Sequence, residues 1–101
     1  MKKTTKSKAE QELEEFDKVF KALAHPSRRN ILVVLIARKG SMTAGEIVDR
    51  FTHKWPTITR HLRQLEEAGL VSVNKVSREQ IYTLNKDKMV AVLANWLKWF
   101  N

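Results

Sequence analysis

The segment Trp55-Pro56-Thr57-Ile58-Thr59-Arg60-His61-Leu62-Arg63-Gln64-Leu65-Glu66-Glu67-Ala68-Gly69 restricts this chain more than any other. Ile58, Leu62 and Leu65 recur at helical spacing, so one side can pack inward while Thr57, Thr59, Arg60, Arg63 and Gln64 face out. Both ends are marked. Pro56 suits a first helical turn, where a missing N–H costs nothing, and Gly69 suits the left-handed residue that closes a helix. The pattern predicts an amphipathic helix from about Pro56 to Ala68 with a polar, basic outer face. Arginine, glutamine and threonine on such a face can reach base edges or phosphate oxygens from a major groove.

The neighbouring segments set this helix in a motif. Thr43-Ala44-Gly45-Glu46 is a capping box, and Ile47, Val48 and Phe51 supply an apolar stripe, so a short helix and a turn precede the basic helix. After Gly69, Leu70 to Val76 is rich in β-branched residues, Ser77-Arg78-Glu79 is a polar turn, and Gln80 to Leu84 returns as a second strand. Helix, turn, helix, hairpin is the order of a winged helix-turn-helix. The expected fold is mainly α with a small β-hairpin, in the order ααααββα.

Upstream, Leu13, Phe16, Phe20 and Leu23 alternate at spacings of three and four, the seam of an amphipathic helix over about residues 9 to 24. Ile31 to Ala37 is a continuous apolar run that periodicity alone could assign to a buried strand. Its flanks decide for a helix. Pro26 fits a first turn, Arg38 and Lys39 complement the negative end of the dipole, and Gly40 suits the stop. Being apolar all round, this helix is expected at the centre. Arg28 and Arg29 lie in its first turn, an unfavourable place for cations without another partner.

Asn85 reads as the N-cap of a last helix, in which Met89, Val90, Val92, Leu93, Trp96, Leu97, Trp99 and Phe100 cover more than one face. Such an excess usually marks a protein interface, and the first helix offers a matching seam. A twofold dimer is therefore expected through Leu13, Phe16, Phe20, Met89, Leu93, Trp96 and Phe100. A last helix folded wholly onto its own core is the alternative.

The residues Phe20-Lys21-Ala22-Leu23-Ala24-His25-Pro26-Ser27-Arg28-Arg29, Thr57 to Val71 and Tyr82-Thr83-Leu84-Asn85 together resemble ArsR/SmtB-type bacterial transcriptional repressors. The resemblance runs from about residue 20 to residue 85. It implies a mainly structural role for the arginine at Arg28 and a histidine packed beside the turn at His61. Many of these repressors sense metals through cysteines on the helix matching Thr43 to Phe51, or through Asp and His on the last helix. Here those positions hold Ile47, Val48 and a lone Asp87, so metal sensing is not carried over and no cofactor is expected. Ser77 stands where the family often has glycine at the wing tip, so the resemblance does not carry over a tight glycine turn, while Arg78 matches a common arginine.

Composition agrees with this reading. One domain is expected over residues 9–101 after a disordered basic arm over residues 1–8, since 101 residues with 43% hydrophobic content suffice for one small core. The absence of cysteine suits a reducing cytosol, and neither a signal peptide nor a membrane span is expected. A net charge of +8 implies attraction to polyanions, and its placement says more than its size. Arg50, Lys54, Arg60 and Arg63 follow one another with no acid between Arg50 and Arg63, while Glu10, Glu12, Glu14, Glu15 and Asp17 gather on the first helix.

The scattered histidines His25, His53 and His61 lack the spacing of a helical metal pair, and no nucleophile–base grouping or glycine-rich phosphate loop occurs. An enzyme is not expected. The reading is a sequence-specific, cytoplasmic DNA-binding repressor, homodimeric on an inverted-repeat operator. Thr57, Thr59, Arg60, Arg63 and Gln64 would read bases or fix phosphates, with Lys54, Lys75 and Arg78 on the backbone. A regulator released by a ligand or partner, or a winged-helix interaction module, is the alternative. Trp55 is expected as an anchor against the core more than as an exposed contact.

Overall fold

The computed structural model describes residues 5–101. Five helices and a small sheet follow in the order α1 (Lys8–Leu23), α2 (Pro26–Ala37), β1 (Ser41–Thr43), α3 (Ala44–Val48), α4 (Trp55–Glu67), β2 (Val71–Val76), β3 (Glu79–Leu84) and α5 (Lys86–Leu97), with a last 3-10 turn over Lys98–Phe100. Of the arm expected over residues 1–8, the first four lie outside the described residues. Ser7 is the N-cap of α1: its Oγ accepts from the Glu10 N–H at 3.1 Å, while the Glu10 carboxylate accepts from the Ser7 N–H at 3.4 Å. The helix therefore starts one residue before the sequence pattern suggested.

The hairpin gains a third strand that sequence reading did not anticipate. β3 lies in the middle of an antiparallel sheet ordered β1-β3-β2, with Met42 opposite Tyr82 and Val73 opposite Tyr82 on the other side. Three residues are too few to display a period of two, so Ser41-Met42-Thr43 carries no strand signal of its own. Met42 is nevertheless buried, and Gly40 leads into it. The Gly40 N–H donates to the Leu35 carbonyl at 2.7 Å and its carbonyl accepts from the Leu84 N–H at 2.7 Å, so the end of α2 is joined directly to the sheet.

The core lies where α1, α2 and α4 meet the sheet, with Val19, Ile31, Leu35, Ile58, Leu65 and Leu70 fully enclosed. α2 is not buried all round: Ile31, Leu32 and Leu35 face the core, whereas Val33 and Ile36 are exposed. A domain this small has too little interior to surround a helix. On α1 the inward face is Phe16, Val19 and Ala22, and Leu13 lies outside it, half exposed at 51%. Asn85 occupies the N-cap position of α5 but makes no side-chain cap bond. Its amide donates to the Gly69 carbonyl at 2.9 Å and its Oδ1 accepts from Ser72 Oγ at 3.2 Å, so it fastens the base of the hairpin instead.

Candidate nucleic-acid interface

Helix α4 is held by an arginine at the junction of three helices. Arg28 donates from Nε to the Ala22 carbonyl at 2.7 Å and from Nη2 to the Lys21 carbonyl at 3.1 Å, and its Nη1 lies 3.3 Å from His61 Nδ1. Arg29 donates to the Leu23 carbonyl at 2.7 Å. These carbonyls belong to the last turn of α1, whose C-terminal end favours cations, which accounts for two arginines in the first turn of α2. His61 is 7% exposed and its ring lies 4.5 Å from that of His25. Burial, then the nearby His25 and Arg28, hold its pKa below the usual histidine range, so it stays neutral at Arg28's side.

Past this fastening, α4 turns its other side to solvent. Ile58, His61, Leu62 and Leu65 are buried, and Thr59, Arg60 and Arg63 are exposed. Thr57 and Gln64 are half-buried on a flank; Gln64 leans toward α1, where it lines a depression with Lys18, Lys21 and Glu67. The start of α4 differs from the starts of α1 and α3. Thr43 caps α3 by the expected box, its Oγ1 accepting from the Glu46 N–H at 3.1 Å and the Glu46 carboxylate accepting from the Thr43 N–H at 2.9 Å. The N-cap of α4 is Lys54, which makes no side-chain cap bond; Pro56 brings no N–H, and the Thr57 and Ile58 N–H groups both donate to the Lys54 carbonyl at 3.1 Å.

Its far end closes as expected. Gly69 adopts φ 76°, its N–H donating to Glu66 and the next N–H, of Leu70, donating to Leu65, both at 2.9 Å. This turns the chain directly into the wing. There Lys75 is opposite Gln80, and a two-residue turn, Ser77-Arg78, joins Val76 to Glu79. The tight turn forms without glycine. Ser77 has φ 59° and Arg78 stays negative, a sign pattern that glycine fills at least cost. Lys54, Arg60, Arg63, Lys75 and Arg78 are all exposed, and none takes part in the ion pairs found among the described residues, Lys6–Glu14, Arg38–Glu46 and Lys88–Glu15.

Trp55 is not the core anchor expected of it. It is 52% exposed at the first position of α4. Its ring lies near Gly45, where an added Cβ would stand 4.0 Å from Cζ2 and Cη2.

The opposite surface is apolar. Trp96 meets Phe20 edge-on at 4.9 Å and Phe100 at 5.0 Å. Met89, Leu93 and Trp96 are half-buried, Leu13 and Phe100 are exposed, and Phe16, at 3% exposure, is enclosed in its own core with no surface left for a partner. Sequence reasoning missed the contribution of α2. Val33 and Ile36 flank a shallow apolar groove of about 200 Å³ with Met89 and Val90 of α5. A mixed apolar run such as Ile31 to Ala37 hides which residues face out. Among the described residues no three His, Asp or Glu side chains gather to hold a metal ion.

Residues 23–74 match the helix-turn-helix domain. Transcriptional repressor SdpR of Bacillus subtilis is 37% identical over 81 residues, which are 80% of this chain and 83% of that one. The chain belongs to the ArsR/SmtB family. An ArsR family transcriptional regulator of known structure has a TM-score of 0.75 at 28% identity, covering 84% of each chain. A homodimeric winged helix-turn-helix DNA-binding domain from Mycobacterium bovis, solved by NMR, has a TM-score of 0.74 at 26% identity, over 93% of this chain and 84% of that one. ArsR/SmtB proteins are DNA-binding transcriptional regulators, not enzymes, and the expected winged helix-turn-helix is the observed fold, with β1 added to its hairpin.

Proposed function

We propose that this chain is a cytoplasmic transcriptional repressor that binds an inverted-repeat operator in double-stranded DNA as a homodimer. The observation that carries the reading is the exposed face of α4 and the wing, where five cations have no ion-pair partner among the described residues. α4 enters the major groove, Thr59, Arg60 and Arg63 meeting base edges, with Thr57 and Gln64 at its flank; Lys54, Lys75 and Arg78 grip phosphates. The homodimeric neighbour supports pairing, for which Leu13, Phe20, Met89, Leu93, Trp96 and Phe100, joined by Val33 and Ile36, are the candidate surface. No helix of the described residues is long and apolar enough to cross a membrane.

The test is a fluorescence-anisotropy titration against the best duplex that the protein selects from a random pool. Specific binding about 10³-fold tighter than to a scrambled duplex, with two chains per duplex, is the expected result. Equal affinity for selected and scrambled DNA would overturn the proposal.

A further inference from the structure

A groove of about 370 Å³ separates the reading helix from the wing, with Thr43 and Gly45 at its base, Trp55 on one wall and Lys75 and Gln80 on the other. Arg78 and Glu79 stand at its rim. Trp55 lies beside Gly45, where even an added Cβ would find room 4.0 Å from the ring, and half of its surface is open to solvent. With only two side-chain torsions, an indole offers a large apolar contact at low conformational cost. Thr59, one turn on from Trp55, lies on the same flank of α4 and is exposed, so an indole and a threonine methyl stand side by side.

In a major groove the one strongly apolar feature of a base edge is the 5-methyl group of thymine. We propose that Trp55 is a specificity-determining residue, whose exposed indole packs, beside Thr59, against the 5-methyl of a thymine on the strand running between α4 and the wing. Lys75 and Arg78 hold the phosphates of that strand from the opposite wall, and Glu79 lies at the outer rim. Arg60 and Arg63, on the outermost side of α4, are left to read guanine or phosphate. This rests on the DNA-binding reading above.

The experiment uses the full chain and the selected duplex, with each thymine of a half-site replaced in turn by deoxyuridine, which removes only the methyl group. Wild type should lose about three- to tenfold affinity at one position of each half-site, and Trp55→Ala should bind the unmodified duplex about tenfold more weakly while ignoring that replacement. Trp55→Phe, which keeps a ring, should retain the sensitivity in part. Three outcomes would overturn the proposal: Trp55→Ala binding within twofold of wild type, uniform response of wild type to every deoxyuridine, or loss of cooperative unfolding in both variants. Arg60→Ala in the same titration separates the two readings, because a wild type and an Arg60→Ala that both bind every duplex alike would remove sequence-specific binding itself.

Discussion

The face formed by α4 and the wing exposes Arg60, Arg63, Lys75 and Arg78, whereas the face formed by α5 and the outer side of α2 exposes Val33, Ile36, Val90, Leu97 and Phe100. The first lacks anions and the second lacks apolar cover. Completing the first releases counterions, so its strength falls steeply with salt, while completing the second removes apolar area from water and depends little on salt. The two surfaces can therefore be broken one at a time.

The largest effect is expected from Leu97→Asp. Leu97 is exposed in the single chain, so the substitution should leave the fold intact, yet in a dimer it would bury an unpaired charge at a cost of about 3–5 kcal/mol. Sedimentation should find monomers at micromolar concentration, with operator affinity lost. A Leu97→Asp protein that sediments as wild type would place the interface away from the exposed end of α5. Trp96→Asp is a poorer probe, since Trp96 packs on Phe20 within its own chain.

On the other face, Arg60→Ala should cost about 1–3 kcal/mol on the selected duplex, relax preference at one base pair and leave the dimer untouched. Arg78→Ala should instead weaken selected and scrambled duplexes alike and reduce the salt slope by about one. Identical behaviour of the two variants in anisotropy titrations at several salt concentrations would erase the distinction between reading and gripping.

Acid should affect the reading face first, through its support. His61 has a lowered pKa when folded, so the unfolded chain binds the proton more readily, and the stability tied to a neutral His61 is present above about pH 6.5 and is lost as pH falls below it. Arg28, His25, His53 and Arg60 all oppose a charge there. Melting temperatures from pH 8 to pH 5 should drop for wild type and drop less for His61→Asn; parallel curves would assign the acid sensitivity to another group. The smallest expected effect is at the wing tip. Ser77→Gly relieves a left-handed serine and should add about 0.5–1 kcal/mol in urea unfolding, with dimerisation unchanged.

The difference between the faces also explains what was legible in the sequence. α4 could be read because its polar side is unambiguous: Thr59, Arg60 and Arg63 interrupt Ile58, Leu62 and Leu65 at helical spacing, and Pro56 and Gly69 bracket them. α3, α5 and both wing strands start within a residue of the capping box, Asn85 or β-branched run that marks them, whereas the apolar stripes through Phe51 and Phe100 overrun the ends of α3 and α5 by three residues. Ser41 to Thr43 escaped because its strand character comes from a long-range partner, β3, and not from its own pattern. Val33 and Ile36 escaped because an apolar helix in a small domain has no polar residues to show which side faces solvent. Phe16 shares the buried face of α1 with Val19 and Ala22, and spacing alone does not tell a core position from a dimer seam; Trp55 reads as a core aromatic because composition does not show how much of a side chain at a helix start stays exposed. Its placement among the reading residues rests on the deoxyuridine experiment.

The short strand β1 ends at Thr43, and that same residue caps α3. Because β1 is bonded to β3, the central strand of the sheet and the first helix of the helix-turn-helix form one mechanical plate with no hinge residue between them. A force that tilts the wing must therefore carry α3 with it, or else break the Met42–Tyr82 pairing. In amide hydrogen exchange, the β3 residues opposite β1 should be protected as one cooperative unit with the Glu46 amide, and should exchange far more slowly than the two strand ends at Ser77.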